Sequence, residues 1–272
     1  MASLSQSPTD PAFVQNPYGF YRQAQRHGDI SFWEDYGMPA AFSHRAVSAL
    51  LKDRRFGREI PVEMLTQPPA LLAPFYAVEA HSMLELEPPR HTRLRGLVLR
   101  AFTSRRIKQL APEITQLCHD FLTATPITPG KLAEPFDLIA QFANKLPVIV
   151  IARLLGVPDS MADQLLAWSN AMVAMYQARR DVEIEARAVC AAQDFVAFMR
   201  DYIKARRSQP QDDLITHLIA AEEDGEKLSI DELITTCILL LNAGHEATVH
   251  SLGNGVKVLL ESETPRTALT PD

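Results

Sequence analysis

Cysteine is scarce in this chain: three in 272 residues, Cys118, Cys190 and Cys237, widely spaced and each inside a run of helical periodicity. An odd, sparse set argues against a disulfide framework and for a reducing cytoplasm. All three read as small core residues. Long apolar runs are missing too. Nowhere do 18 apolar residues follow one another, so no membrane-spanning helix is expected. The amino terminus, MASLSQSPTDPAF, has neither a basic n-region nor an apolar h-region, and no signal peptide or anchor is expected. Positive charge is not in excess. The formal net charge of −6 gives no support for nucleic acid as a partner. Internal repeats, low-complexity tracts and an interdomain linker are all absent. What remains, at 47% hydrophobic residues, is a globular chain long enough to bury a real core.

The pattern is mostly helical with a small β part. The first residues, with Pro8 and Pro11, read as loose. Asn16-Pro17-Tyr18 opens a short helix to Arg26. Ile30–Trp33 and Ala40–Phe42 read as a hairpin about Tyr36-Gly37. Ser43 caps a helix from Arg45 to Lys52. Phe56–Pro89 is proline-rich and reads as a long irregular segment whose Leu71, Leu72, Phe75, Tyr76 and Met83 either line a pocket or seal a core edge. Helices follow over Arg90–Phe102, from Ile107, and over Phe136–Leu155, the last with a kink or break near Leu146 because of Pro147. Asp159–Arg180, Val182–Arg207 and Asp212–Glu223 are amphipathic, and Ser229-x-x-Glu232 is a capping box.

That box starts the stretch around which the chain is organised, Leu233–Leu260, an apolar run with a polar knot of Asn242, Gly244, His245, Glu246, Thr248 and His250. A carboxylate such as Glu246 is costly to bury unless it has a partner or a role. The Ala243-Gly244 pair removes bulk beside it, so that a flat ligand or another backbone can approach. The alternative is a central core helix with a satisfied carboxylate. A zinc-protease motif is excluded, since it needs His-Glu-x-x-His and the second histidine here, His250, is five positions from His245. The Arg90–Phe102 helix holds Arg90, His91, Arg93, Arg95 and Arg100 without an acid, and Arg105, Arg106 and Lys108 follow. His91 and Arg95 share a face and suit a carboxylate or phosphate. Arg93, Arg100, Arg105 and Arg106 read as largely exposed.

Four stretches carry a family resemblance in order and spacing: NPYGFYRQAQRHG, EPPRHTRLRGLVLRAFT, IARLLGVP and DDLITHLIAAEEDGEKLSIDELITTCILLLNAGHEATVHSLGNG. Over about Asn16 to Leu260 the chain resembles the amino-terminal two-thirds of a bacterial cytochrome P-450, a haem-thiolate monooxygenase. The resemblance implies a mainly α, P-450-like fold, a single incomplete domain over 1–260 and an unrelated disordered tail over 261–272. It implies that His91 and Arg95 bind the haem propionates and that Ala243 and Gly244 leave room at the distal face. Glu246 would be the acid of the proton relay. The relay's alcohol position is Ala247 here, and Thr248 is the nearest substitute. The resemblance also implies an apolar small-molecule substrate and a ferredoxin-type electron donor, with no membrane and no nucleic acid. The family's Glu-x-x-Arg helix and its cysteine-ligand loop have no counterpart. The pairs Glu87–Arg90 and Glu263–Arg266 enclose prolines, and none of the three cysteines lies in a glycine-rich loop. The axial ligand is thus expected to be absent, the chain truncated, and its monooxygenase activity lost. The rivals are a non-catalytic helical remnant and an anion-binding module built on Arg90–Lys108.

Overall fold

The computed structural model describes residues 1–102, 104–124, 135–177, 180–223 and 225–263. The chain forms two compact units, Met1–Arg58 and Glu59–Asp272.

In the first unit, β1 (Ser3–Leu4) pairs parallel with β2 (Ile30–Trp33), which pairs antiparallel with β3 (Met38–Ala41). The expected hairpin is therefore present. The first residues, read as loose, supply its third strand, because Phe32 and Glu34 donate backbone hydrogen bonds to Ala2 and Leu4. Helices α1 (Pro11–Gln15), α2 (Tyr18–Arg26) and α3 (His44–Lys52) complete the unit. Asp10 and Ser43 cap α1 and α3, each accepting from a backbone N–H three residues on. Edge-to-face and tilted contacts among Phe13, Phe20, Trp33 and Phe42 hold the helices on the sheet.

The second unit is helical: α4 (Ala73–Glu79), α5 (Arg90–Ala101), α6 (Ser104–Ala124), α7 (Lys145–Leu155), α8 (Ala162–Val173), α9 (Val182–Ser208), α10 (Leu214–Ala220) and α11 (Ile230–Glu261), with a two-residue hairpin of β4 (Glu222–Glu223) and β5 (Glu226–Lys227). Pro147 acts as expected. Ile139–Ala143 is a π turn, with Asn144 donating to Ile139 O, and α7 restarts at Lys145. Pro147 thus falls in a first turn, where its missing N–H costs nothing. Gly156 ends α7 at φ +84°, and Val157 donates back to Ala152 O at 2.8 Å. The capping box is formed: Ser229 Oγ accepts from Glu232 N and Glu232 Oε2 from Ser229 N. From it α11 runs as one helix packed on α7, α8 and α9, burying Leu233, Ile234, Cys237, Ile238 and Leu241.

Several expectations need correction. The 56–89 segment is not irregular throughout, since α4 and 3-10 turns at Val62–Met64 and Ala70–Leu72 interrupt it. Leu72 and Phe75 are core residues, and Leu71 is exposed. Asp159–Arg180 is not one helix: α8 is flanked by 3-10 turns at Asp159–Met161 and Ala174–Tyr176. Cys190 is exposed rather than in the core, because it lies on the outer face of α9. The helix ends at Glu261, and most of the tail assigned to 261–272 lies outside the described residues, as do the side chains of Arg105 and Arg106. Among the described residues no helix is long and apolar enough to cross a membrane.

Candidate functional site

The second unit contains a cavity of about 660 Å³ with three helical walls. The first is α5, which starts directly after Pro88-Pro89. Its Leu94, Leu97 and Ala101 go into the core, while His91, Arg95, Val98, Leu99 and Phe102 recur at three- and four-residue spacing and line the cavity. The second is α11, through Leu239, Leu240, Ala243 and Gly244, and the third is α7, through Ile151 and Leu154. Met83 and Leu84, from the chain before α5, complete the lining. Among the described lining residues only His91 and Arg95 carry a titratable side chain. Apolar walls with a few convergent polar groups are the ordinary anatomy of a ligand site, and here the polar groups are donors suited to a carboxylate.

Four of the six expected site residues therefore meet at one cavity: His91, Arg95, Ala243 and Gly244. Gly244 also has a packing reason, since a Cβ there would lie 2.7 Å from Ile151 Cδ1. Glu246 and Thr248 are not in the lining. Glu246 lies on the Ala243 flank of α11, about 60° round and one turn on, with its side chain 49% exposed and its carboxylate 3.9 Å from His250 Nε2. Thr248 is exposed, and its hydroxyl donates back along the helix to Gly244 O at 2.8 Å. His245 is buried on the side of α11 roughly opposite to Ala243, and Asn242, about 100° round from Ala243, is buried as well. Neither ring nitrogen of His245 has a hydrogen-bond partner, and burial lowers its pKa, with Glu246 opposing and His250 adding to the shift.

Arg93 is the main surprise on the basic helix. It was expected among the exposed arginines. Its guanidinium instead donates from Nη2 to Glu232 Oε1, lies 3.3 Å through Nε from Glu226 Oε2, and reaches Lys227 O at 3.5 Å. Arg90 donates to Ala80 O at 3.0 Å. Arg100 is exposed as expected, and Lys108 is exposed too. The sequence reading missed Val98, Leu99 and Phe102, although their spacing from His91 and Arg95 is legible. It also missed Ile151 and Leu154, whose helix is apolar on most sides and so does not announce which side faces a cavity.

Comparison with known proteins identifies the family. The family model for cytochrome P-450 matches residues 22–264. The chain is 43% identical over 192 residues to cytochrome P-450 107B1 of Saccharopolyspora erythraea, covering 70% of this chain and 44% of that one. It is 36% identical over 269 residues to the polyketide biosynthesis cytochrome P-450 PksS of Bacillus subtilis, covering 96% and 64%. Among solved structures it is similar to P450BioI in complex with an acyl carrier protein carrying hexadec-9Z-enoic acid, with a TM-score of 0.82 and 30% identity over 95% of this chain and 64% of that one. This chain belongs to the cytochrome P-450 family. It spans between 44% and 64% of the length of these relatives.

The family implies haem, and the residues present fit part of it. Two donors at the edge of an apolar cavity match a porphyrin's carboxylates and ring. None of the three cysteines lines the cavity. Cys237 is wholly buried in the core with its thiol pushed up to about 12, and Cys118 and Cys190 lie on α6 and α9.

Proposed function

We propose that this chain forms the carboxylate-anchoring and distal part of a cytochrome P-450 monooxygenase that oxidises an apolar small molecule with electrons from a ferredoxin-type donor. The observation that carries the reading is that His91 and Arg95 open into the same cavity as Ala243 and Gly244. His91 and Arg95 hold the two porphyrin carboxylates, Arg95 through its planar fork. Bound haem supplies the activation of dioxygen. Ala243 and Gly244 keep the α11 wall low beside it, and Leu240, Leu99 and Met83 exclude water and receive the apolar substrate. Support for an apolar substrate comes from this lining and from the long acyl chain in the P450BioI complex.

Glu246 is the acid of the proton relay. Its half-exposed carboxylate is open to solvent and lies 3.9 Å from His250 Nε2. Thr248 joins the relay only after turning its hydroxyl away from Gly244 O. On the same reading the 272-residue chain by itself is not an active monooxygenase, because none of its cysteines reaches the cavity.

Titration of the purified chain with haem, followed by absorbance, tests this. Saturable binding is expected, weakened about tenfold in Arg95→Ala, as for loss of a charge-assisted hydrogen bond. The reduced, carbon-monoxide-treated complex is expected to show no thiolate-type spectrum. Binding indifferent to both Arg95→Ala and His91→Ala would overturn the site. A thiolate-type spectrum abolished by replacing one of the three cysteines would overturn the inactivity.

A further inference from the structure

On α5 the cavity donors and the Arg93 guanidinium point in different directions. Arg93 is two residues from His91 and two from Arg95, hence about 160° round the helix from each. On that far side its guanidinium meets Glu232 Oε1, Glu226 Oε2 and Lys227 O. Its side chain is 30% exposed and that of Glu232 only 11%. Glu232 has a second task in the same geometry, since its Oε2 accepts from Ser229 N at 2.9 Å to close the α11 capping box. One carboxylate therefore fixes the start of α11 and grips α5. Those two helices carry the donors and the small residues on separate walls of the cavity.

We infer that Arg93 is a positioning residue: gripped by Glu232 and Glu226, it sets the rotation of α5 about its own axis, and so the aim of His91 and Arg95 at the ligand's carboxylates. A planar guanidinium with several fixed donors resists rotation in a way that a single ammonium does not. Because the grip lies on the far side of the helix, losing it swings the cavity donors without removing either of them. The inference rests on the reading of the cavity as a carboxylate-anchored porphyrin site.

The test compares zinc protoporphyrin IX with its dimethyl ester, by fluorescence titration of the 272-residue chain. The ratio of the two affinities reads the aim of the donors, and general loosening of the fold moves both affinities together. The wild type is expected to prefer the diacid by about tenfold or more. Arg93→Gln should bring the ratio most of the way to one, Arg93→Lys should fall between, and Glu232→Gln should resemble Arg93→Gln. Arg200→Gln, which breaks the 2.7 Å pair with Asp231 at the same end of α11, should leave the ratio unchanged. Should Arg93→Gln not fold, Glu226→Gln, on a mostly exposed side chain, removes half of the grip and should lower the ratio by itself. A wild-type preference that Arg93→Gln or Glu226→Gln keeps, whatever the melting temperature does, overturns the positioning role and leaves the cavity reading standing. A wild-type ratio near one removes the carboxylate reading and the positioning role with it.

Discussion

Replacing Gly156 by alanine should be among the most damaging single substitutions in the chain. Gly156 ends α7 at φ +84°, a conformation that costs an L-residue about 1–2 kcal/mol. A Cβ there would also lie 2.5 Å from Asp213 Cβ and Cγ and closer still to Oδ2. Asp213 cannot step aside cheaply. Its Oδ1 accepts from Thr216 N at 2.8 Å to cap α10, and its Oδ2 lies 2.6 Å from Arg206 Nε in a pair exposed to only 4% and 10%. Arg206 Nη2 in turn donates to Gly156 O at 2.9 Å, and the Tyr202 hydroxyl donates to the same oxygen. Losing the cap costs about 1 kcal/mol, and splitting a buried pair costs about 3–5 kcal/mol. These costs overlap, so a loss of about 4–6 kcal/mol is expected, against a typical total of about 5–15 kcal/mol. The thermal midpoint should fall by more than about 10 °C, and urea unfolding followed by circular dichroism should show the same loss. Because α7 carries Ile151 and Leu154, porphyrin uptake should weaken as well. A midpoint within about 2 °C of wild type would refute the claim that the turn is closed against a methyl group.

Two predictions concern titration. Cys190 is exposed and should react with a thiol reagent at once, whereas Cys237, at about 12, is thiolate in only about one molecule in ten thousand at pH 8 and should react only on unfolding; fast labelling of Cys237 in the native chain would contradict its burial. As pH rises above the ordinary thiol value of 9.0, the unfolded chain loses the Cys237 proton and the folded one keeps it, so this group lowers stability there. Burial lowers the folded pKa of His245, so below about 6.5 the unfolded state binds the extra proton and stability should fall, by at most about 1.4 kcal/mol per pH unit. His245→Phe should flatten that acid limb in urea midpoints measured between pH 7.5 and 5, and parallel profiles for the two proteins would sink the assignment.

Much of the helical framework was legible because its signals are local. Ser229 and Glu232 announce the start of α11, Gly156 the end of α7 and Pro147 the break before it, and each acts on backbone within a few residues of itself. The pairing of His91 with Arg95 was equally legible, being one turn of one helix. Longer-range facts were not. Nothing near Arg93 in the sequence marks it as different from Arg100, and its partners Glu226 and Glu232 lie more than 130 residues away. The β1 strand exists because β2 offers it an edge, and its two residues carry no period of their own. Glu246 shows the same limit. Its place in a long apolar run suggested a buried carboxylate, but that part of α11 is open on the Glu246 side and the side chain remains half-exposed.

Gly244 has two competing explanations, which one further experiment separates. The family resemblance gives it the task of keeping space beside the ligand, whereas the geometry gives it a neighbour, Ile151 Cδ1, 2.7 Å from where a Cβ would stand. Ile151 lines the same cavity and its δ-methyl is the far end of a flexible side chain, so Gly244→Ala can be absorbed by turning that methyl. Alanine gains about 1 kcal/mol over glycine within a helix, and overpacking costs about 1–3 kcal/mol. The single variant should therefore be between neutral and about 2 kcal/mol less stable. Gly255→Ala on the same helix meets nothing within 4 Å and should show the gain alone, up to about 1 kcal/mol. Ile151→Val removes the offending methyl at a cost of about 0.5–1.5 kcal/mol. Combined with Gly244→Ala it should cost less than the two singles together, by about 1 kcal/mol or more. If packing is the reason for the glycine, the double variant recovers porphyrin uptake along with stability. If space for the ligand is the reason, stability returns and uptake stays weak. Strict additivity of the two substitutions would show that Ile151 does not crowd this position, and the packing explanation would fall.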